Sequence, residues 1–299
     1  MDNTKRVTAR NMDEKEYFFG HKACAGCGGS IAVRLALKVF GERTFAALPA
    51  GCMSAVGFIY PQMAFLNNAI ISTFPGTGSI LSGMRAGLNA LGEKDVQVVG
   101  FAGDGGTADI GIQALSGAID RNDDIIYICY DNEAYMNTGI QKSGLTPFGA
   151  KTTTTPAGKN LPGSITSKKN MFEIVAAHDI PYAATASIGY PQDYLNKLQK
   201  ARDTEGPSYI HVYATCPTGW GSSPESSVSL AREAVDCGLW FLAEYEQGEF
   251  TINKKPKEWG SVEEYLKKQA RFRHLTEDLI RKIIEARDAR WEKMLSRWN

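Results

Sequence analysis

Two short apolar segments constrain the fold of this chain most strongly. They occupy residues 96–102 and 125–130, are rich in β-forming residues, and are separated by a helical pattern over residues 108–120. Strands that are apolar along both faces, with a helix between them, are typical of a buried parallel sheet. The sequence therefore predicts an α/β fold in which a parallel sheet carries helices on both faces.

The same alternation continues on either side of this unit. Apolar residues recur at helical spacing after Ser30, which we predict to be the N-cap of a helix ending at Phe40. Further strands and helices are predicted at residues 45–48, 79–91, 171–178, 182–186, 193–202 and 208–214. Residues 142–169 are rich in Thr, Gly and Pro without a helical period. A loop of this length is either disordered or functional, and its position beside the motifs below favours an ordered functional loop.

The chain divides into two predicted parts. Residues 1–226 contain the alternating pattern and form one domain. Residues 227–299 are mostly charged amphipathic helix, with helices predicted at 261–272 and 277–297. We predict that this second part is a helical extension for subunit contacts.

The charge balance excludes two classes of partner. Lys plus Arg and Asp plus Glu each number 33, and no basic block occurs, so neither nucleic acid nor an anionic membrane is expected as a partner. Residues 1–16 lack a signal-peptide pattern, and no apolar run reaches about 18 residues, so a cytoplasmic protein is expected. In a reducing compartment, the six cysteines are candidates for metal ligands or nucleophiles rather than for disulfides.

A glycine-rich motif follows the first strand, and Asn132 follows the second. The motif consists of Gly103, Asp104, Gly105 and Gly106. A right-handed crossover brings the ends of both strands to one edge of the sheet, where a carboxylate and an amide oxygen can bind one hard cation. Glycine N–H groups nearby can approach a phosphate. Gly-Asp-Gly alone is common in turns, but its pairing with Asn132 indicates magnesium holding a diphosphate.

Cysteines form a second candidate site. Cys24 and Cys27 share one glycine-rich loop, whereas Cys52 and Cys216 follow predicted strands and can converge with them. Two cysteines separated by two residues are compatible with zinc, a redox dithiol or an iron–sulfur centre, and four thiolates suit a 4Fe–4S cluster. The other two cysteines lie in apolar surroundings and are predicted to be core residues. These are Cys129 and Cys237.

The sequence resembles a known enzyme family at these motifs. Residues 103–111, 131–141 and 146–150 are similar to the β subunit of pyruvate:ferredoxin oxidoreductase, within the 2-oxoacid:ferredoxin oxidoreductase family, and the likeness extends from about residue 20 to about residue 273. The resemblance implies the thiamine-diphosphate-binding, pyrophosphate-type fold for residues 1–226. It also implies three cofactors: thiamine diphosphate, Mg²⁺ and one 4Fe–4S cluster.

The resemblance also implies roles for individual residues. Asp104, Asn132 and the Ala134 carbonyl would bind magnesium, and Asn137 would face the substrate as the catalytic residue. Further cofactor-binding positions are Gly51, Cys52, Gly103, Gly105, Gly106 and Thr138. The cluster ligands would be Cys24, Cys27, Cys52 and Cys216. His21, next to the cysteine loop, is the best histidine candidate for tuning the cluster.

By the same resemblance, the reaction is oxidative decarboxylation of pyruvate to acetyl-CoA and CO₂. Electrons would pass through the cluster to ferredoxin. The chain lacks a pyrimidine-binding domain with its activating glutamate, and it lacks ferredoxin-type cysteine repeats. The expected partners are therefore α, γ and δ-type subunits, ferredoxin, a small 2-oxoacid and coenzyme A.

Two departures from the family pattern keep other functions open. The pyruvate enzymes usually have an acidic residue shortly after Gly-Cys-Met, where Ser54 stands, and a second one in the stretch equivalent to residues 72–78. Loss of carboxylates reduces repulsion of a dianion by on the order of a kcal/mol. Oxalate, which yields two CO₂ without coenzyme A, is therefore an alternative substrate. A non-catalytic iron–sulfur electron-transfer subunit is a second alternative.

Overall fold

The computed structural model describes residues 6–158 and 161–298. The strands in these ranges are β1 Thr44–Pro49, β2 Phe58–Ile59, β3 Gln62–Met63, β4 Asn68–Ser72, β5 Gln97–Gly103, β6 Ile126–Asp131, β7 Ala157–Gly158, β8 Leu161–Pro162, β9 Tyr182–Ser187, β10 Ser208–Tyr213, β11 Ala243–Glu246 and β12 Glu249–Ile252.

The α-helices are α1 Gly28–Phe40, α2 Cys52–Gly57, α3 Thr77–Ala90, α4 Asp104–Ala108, α5 Ile112–Asp120, α6 Met171–Ala176, α7 Pro191–Asp203, α8 Pro217–Trp220, α9 Ser227–Asp236, α10 Val262–Lys267 and α11 Glu277–Arg297. Two 3₁₀ turns, at Pro224–Ser226 and Ala270–Phe272, complete the helical segments of the described chain. None of these helices combines the length and the apolar character needed to cross a bilayer.

Eight strands form one mostly parallel sheet in the order β12-β11-β9-β10-β6-β5-β1-β4. The strands from β4 to β9 are parallel, whereas β11 runs antiparallel to β9 and to β12. The predicted unit of strand, helix and strand is confirmed, because β5 lies beside β6 in parallel with Gly103 opposite Tyr130. This register brings Asp104 and Asn132 to the same edge of the sheet.

The core lies in two layers, one on each face of the sheet. Ile126 and Ile128 of β6 pack in the layer covered by α1 and α7, whereas Tyr127 and Cys129 pack in the layer covered by α3 and α5. Successive strand residues point to opposite faces, so burial of both sets requires helices on both sides. The predicted fold class is confirmed.

Local differences from the sequence predictions have local causes. Helix α1 begins at Gly28, with Cys27 as its N-cap, and the Ser30 hydroxyl donates back to the Cys27 carbonyl. The N-cap prediction for Ser30 was therefore wrong. Of the helix predicted over residues 108–120, only residues 112–120 are helical, as α5. Ala108 ends the preceding helix α4, and Asp109 after it has a non-helical backbone.

Two further elements were not predicted. The segment after residue 226 is not all helix, because it contains the β11–β12 hairpin, which joins the central sheet. The sheet also ends at β4, a short strand without the apolar alternation of a half-buried strand. The division at residue 226 and the role of the extension in subunit contacts stay predictions.

The segment predicted as an ordered functional loop, residues 142–169, is held by hydrogen bonds wherever the structure describes it. Gly149 N–H donates to the Ser164 carbonyl at 2.8 Å, and Lys169 N–H donates to the Gly144 carbonyl at 2.9 Å. These bonds join distant positions within the described part of the segment. The Ser143 hydroxyl donates to Asp104 and the Thr146 hydroxyl donates to the Glu133 carbonyl, which places the segment beside the ends of β5 and β6.

Candidate cofactor site and cysteine group

The carboxyl ends of four parallel strands converge at the candidate site. Cys52 lies shortly after β1, Asp104 directly after β5, Asn132 directly after β6, and Cys216 shortly after β10. In a sheet whose strand order reverses, this edge provides the crevice in which ligands bind. The two sets of residues predicted from the sequence therefore lie side by side.

A pocket opens at this edge between the ends of β1, β5 and β6. Its walls are Ala50, Gly51, Cys52, Phe74, Gly103, Asp104, Gly105, Gly106, Tyr130, Asn132, Ala134, Tyr135, Met136, Asn137 and Thr138. Every residue predicted to bind the cofactor lies in this set. Asp104, Asn132 and Ala134 are buried at its base, whereas Asn137 and Thr138 are exposed at its mouth. The structure thus brings the predicted cofactor residues together in one cavity.

A glycine is required at position 105 because the Tyr135 ring packs directly against its backbone. A Cβ atom at this position would lie 2.4 Å from the ring of Tyr135, far inside van der Waals contact. Tyr135 is itself held by a 2.9 Å hydrogen bond from its hydroxyl to Asp109, and it packs against Phe74. The glycine therefore lets the Tyr135 ring pack directly against the start of α4, where Asp104 lies.

Three oxygen atoms face one another at the base of the pocket. The side-chain oxygen of Asn132 lies 2.9 Å from the Ala134 carbonyl oxygen and 3.0 Å from Oδ1 of Asp104. Three acceptors at this spacing repel one another unless a donor or a cation lies among them. The amide can satisfy the two oxygens by turning its nitrogen toward them, or a cation can satisfy all three.

Asp104 is the carboxylate without an ion pair at this edge. It is 1% exposed, the Ser143 hydroxyl donates to its Oδ2, and no lysine or arginine within the described ranges forms a salt bridge with it. Burial, and next the charge of Asp131, raise the pKa of Asp104 well above its ordinary value. A cation among the three oxygens would remove this penalty on the ionised form.

The four predicted cluster cysteines lie on separate elements beside the pocket. Cys27 caps α1, Cys52 begins α2, and Cys216 caps α8, where its sulfur accepts an N–H bond of 3.3 Å from Gly219. Cys24 is exposed on the preceding loop, and all four thiols are free. The loop approaches the end of β10 because Gly28 N–H donates to the Thr215 carbonyl at 2.9 Å.

These thiols are close enough to influence one another electrostatically. Burial, and next the thiolates of Cys216 and Cys27, raise the pKa of Cys52 to about 12. Burial raises the pKa of Cys216 to about 11, against the Gly219 N–H bond, and Cys27 and Cys24 add to the rise. Neutral thiols are thus favoured in the chain without a metal, whereas a metal centre would reverse this preference.

No three His, Cys, Asp or Glu side chains of the described chain are already gathered as a metal centre. The assignment of the four cysteines as cluster ligands therefore stays a prediction. Cys129 and Cys237 are buried at 0% and 1% exposure, as expected for core residues. His21 stacks on Phe18, with ring centroids 4.6 Å apart, so the ring packs on the N-terminal segment.

Sequence reasoning missed several residues of the site. Phe74, Tyr130, Tyr135 and Met136 line the pocket, although no role in the site was predicted for them. Tyr130, Tyr135 and Met136 flank the predicted residues in the sequence, and this adjacency was a usable signal. No sequence signal identified Lys168, because it is separated by a long loop from Asp131 and Glu133, which it contacts.

Comparison with known proteins gives the family of the chain. Residues 49–212 match the family model for the C-terminal TPP-binding domain of thiamine pyrophosphate enzymes. The chain is 53% identical to pyruvate synthase subunit PorB of Methanothermobacter thermautotrophicus, over 93% of this chain and 97% of that protein. It is 46% identical to ketoisovalerate oxidoreductase subunit VorB of Pyrococcus furiosus, over 97% and 95%.

A solved structure shares the fold. The 2-oxoglutarate:ferredoxin oxidoreductase from Magnetococcus marinus aligns with 74% of this chain and 82% of that one, at a TM-score of 0.58 and 20% identity. The pocket lies inside the matched thiamine pyrophosphate domain, and the sequence identity extends over nearly the whole chain. The chain therefore belongs to the thiamine-diphosphate-binding subunits of the 2-oxoacid:ferredoxin oxidoreductases.

Proposed function

We propose that the pocket binds thiamine diphosphate through Mg²⁺ held by Asp104, Asn132 and the Ala134 carbonyl. The observation that carries this proposal is the spacing of the three oxygens, 2.9 and 3.0 Å. Adjacent ligands of an octahedral Mg²⁺ with bonds of about 2.1 Å lie about 3 Å apart, so the Asn132 oxygen has the spacing of a neighbouring ligand to each of the other two oxygens. The buried, unpaired Asp104 supplies the negative charge.

The thiols of Cys24, Cys27, Cys52 and Cys216 are proposed to hold one 4Fe–4S cluster. Their mutual effect on pKa values and the Gly219 N–H directed at a sulfur support this assignment. Cys52 belongs to both sites, since it lines the cofactor pocket and lies among the cysteines. It would provide a short connection for electrons leaving the pocket.

The proposed reaction is that of a pyruvate synthase. Pyruvate, coenzyme A and two oxidised ferredoxins give acetyl-CoA, CO₂, one proton and two reduced ferredoxins. When bound, thiamine diphosphate supplies the carbanion chemistry that breaks the bond to the carboxylate. The PorB relatives support pyruvate as the substrate, and the VorB relatives make a branched 2-oxoacid the first competitor to test.

The residues of this chain position the reactants in the proposed reaction. Asn137, exposed at the mouth of the pocket, is proposed to donate its amide N–H groups to the substrate oxygens. Thr138 lies beside it, with its hydroxyl bound to Gln141 at 2.5 Å. Phe74 and Tyr135 form an aromatic wall that excludes water from the base of the pocket.

A partner subunit is proposed to cover the face next to the pocket. Residues 44–84 contain no charged residue and no histidine, although 22% of the chain is charged. Large apolar side chains in this segment are nevertheless exposed: Ile59, Tyr60, Met63, Leu66, Ile70 and Ile71. An uncharged apolar face of this kind is complementary to an equally uncharged surface of another protein. Since β4 leads directly to Phe74 in the pocket wall, the α-type subunit, which would complete the cofactor site, is the proposed occupant.

The test uses the complex purified without oxygen. The visible absorbance of the oxidised cluster is followed after adding pyruvate, ketoisovalerate, 2-oxoglutarate or oxalate, each with and without coenzyme A. We expect pyruvate to bleach the absorbance and to yield acetyl-CoA only when coenzyme A is present. We also expect no turnover with ferredoxin from this chain alone.

Other outcomes lead to definite conclusions. If oxalate bleaches the absorbance faster than pyruvate, and does so without coenzyme A, the substrate is oxalate and the pyruvate assignment is wrong. If dithionite reduces the cluster but no 2-oxoacid does, the catalytic proposal fails and a non-catalytic electron-transfer subunit is supported.

The magnesium assignment is tested by substitution. Asp104→Asn keeps the shape of the side chain and removes the unpaired charge, so retention of thiamine diphosphate in the presence of Mg²⁺ should weaken by more than about tenfold. The matched control is Asp120→Asn at the exposed end of α5. Equal retention by both variants would exclude Asp104 as a magnesium ligand.

A further inference from the structure

The turn that carries Asn132 is flanked by two buried carboxylates. Asp131 is 0% exposed and Glu133 is 4% exposed. The Lys168 ammonium lies 2.7 Å from Oδ2 of Asp131 and 2.7 Å from Oε1 of Glu133. One cation from the long loop therefore joins the residues immediately before and after Asn132.

The backbone of this turn has an unfavourable conformation at Glu133 and needs side-chain contacts to maintain it. Glu133 has a φ of +69°, in the left-handed region that is unfavourable for a residue with a side chain. Asp131 accepts the Glu133 N–H at 2.9 Å, so its carboxylate shapes the turn directly. The turn would relax toward an ordinary backbone conformation if these carboxylates were free to move.

Lys168 is itself fixed in place. Its ammonium lies 4.9 Å from the ring centroid of Trp240 and 5.3 Å from that of Tyr213. Its side chain is 16% exposed, which limits the alternative positions that water would otherwise support. An ammonium held between two aromatic rings and two carboxylates has a fixed position, so it links the two carboxylates rigidly and does not behave as a mobile counter-ion.

The other carboxylates near Asp104 each form an ion pair with a lysine. Asp131 and Glu133 bind Lys168, and Asp109 binds Lys169 at 2.6 Å. Asp104 alone among these carboxylates has no such partner in the described chain. The lysines therefore leave Asp104 available to a metal while they occupy the carboxylates that would compete for it.

We propose that Lys168 is a positioning residue that holds residues 131–134 in the shape that directs the Asn132 and Ala134 oxygens toward the oxygen of Asp104. This inference rests on the proposed magnesium site. Lys168 touches neither the metal nor the cofactor in this proposal. Its contribution is the geometry of the two ligands that do not carry a charge.

The direction in which cation affinity changes when Lys168 is removed distinguishes a positioning role from a purely electrostatic one. Lys168 is close enough to influence Asp104 electrostatically. If charge were its whole contribution, its removal would strengthen binding of a cation, because a positive neighbour repels it. If Lys168 holds the ligands in place, its removal weakens binding, as removal of outer-shell partners does by about ten- to a hundredfold.

The experiment measures binding of Mn²⁺, a paramagnetic stand-in for Mg²⁺, to the purified complex in the presence of thiamine diphosphate. We expect Lys168→Met to weaken Mn²⁺ binding by about ten- to a hundredfold. Hydrogen exchange of the amides of residues 131–134 in the cofactor-free complex should also become faster. The control is Lys142→Met, on the same loop, whose ammonium donates a 3.4 Å bond to the Ser143 carbonyl.

A second variant covers the case in which Lys168→Met fails to fold. Lys168→Gln removes the charge and shortens the reach of the side chain while it keeps a polar donor and leaves the Glu133–Arg271 pair intact, and it should also bind Mn²⁺ more weakly than the unaltered complex. Wild-type affinity or tighter binding in the folded variants would overturn the positioning role. If the unaltered complex binds no Mn²⁺ with thiamine diphosphate, the magnesium proposal fails instead.

Discussion

The guanidinium of Arg271 stacks on the indole of Trp220, with its Cζ atom 3.9 Å from the ring centroid. Arg271 also donates to Glu133, and the Trp220 indole N–H donates to the Asn132 carbonyl at 2.8 Å. Trp220 ends the short helix that Cys216 caps. One arginine after residue 226 therefore contacts both the helix that Cys216 caps and the turn that carries Asn132.

Replacement of Arg271 should destabilise the fold substantially. Arg271→Met leaves Glu133 buried with one cation fewer, and breaking a buried ion pair typically reduces the free energy of unfolding by about 3–5 kcal/mol. Urea denaturation measures this loss. Arg273→Met, two residues away and exposed, should change stability little. Equal losses in both variants would contradict the importance of the Arg271 pair.

Replacement of a cluster cysteine should remove iron, and replacement of a core cysteine should not. Cys216→Ala is expected to reduce the iron content and the visible absorbance of the complex by one 4Fe–4S cluster. Cys129→Ala, in the interior of β6, should retain both. Zinc in place of iron in the unaltered chain, or full iron in Cys216→Ala, would rule out the assigned cluster.

Stability in acid should depend on Glu16. The Arg34 side chain donates to both Glu16 oxygens, at 2.8 and 2.6 Å, and this pairing lowers the pKa of Glu16 from 4.5 to about 2. A depressed pKa stabilises the fold above about pH 4.5, and the contribution disappears as the pH falls toward about 2. Because Glu16 is about one third exposed, we expect roughly 0.5–1 kcal/mol.

Glu16→Gln should remove this part of the acid dependence. The free energy of unfolding, measured at several values between pH 2 and pH 6, should fall less steeply in the variant than in the unaltered chain. Glu14→Gln, exposed and two residues away, serves as the control. A Glu16→Gln curve parallel to that of the unaltered chain would contradict the prediction.

Assembly should depend on the uncharged face. Ile70 is 47% exposed on the edge strand β4, so Ile70→Lys should leave folding intact while it prevents binding of the α-type subunit. Sedimentation of the co-expressed complex measures assembly. Leu91→Lys, at an exposed apolar position at the end of α3, is the matched control. Normal assembly of Ile70→Lys would exclude this face, and loss of self-association in the isolated chain would point to a second copy as its occupant.

Several features of the site could be predicted from the sequence because they are local. Asp104 and Asn132 follow two neighbouring parallel strands joined by one crossover, so spacing along the chain determines their proximity. The buried strands were recognisable because both of their faces are apolar. The N-cap of α1 was misplaced by three residues because Ser30 bonds back to Cys27 from inside the helix.

The sequence by itself determined the fold class, the family and the motif that ends β5 and β6. Only the tertiary structure decided which cations engage which carboxylates, since Lys168 is 37 residues from Asp131 and Arg271 is 138 residues from Glu133. It also revealed that the face beside β4 is apolar and uncovered. Periodicity reports neighbours along one strand or helix, whereas ion pairs and exposed faces depend on how distant elements pack, which no short pattern encodes.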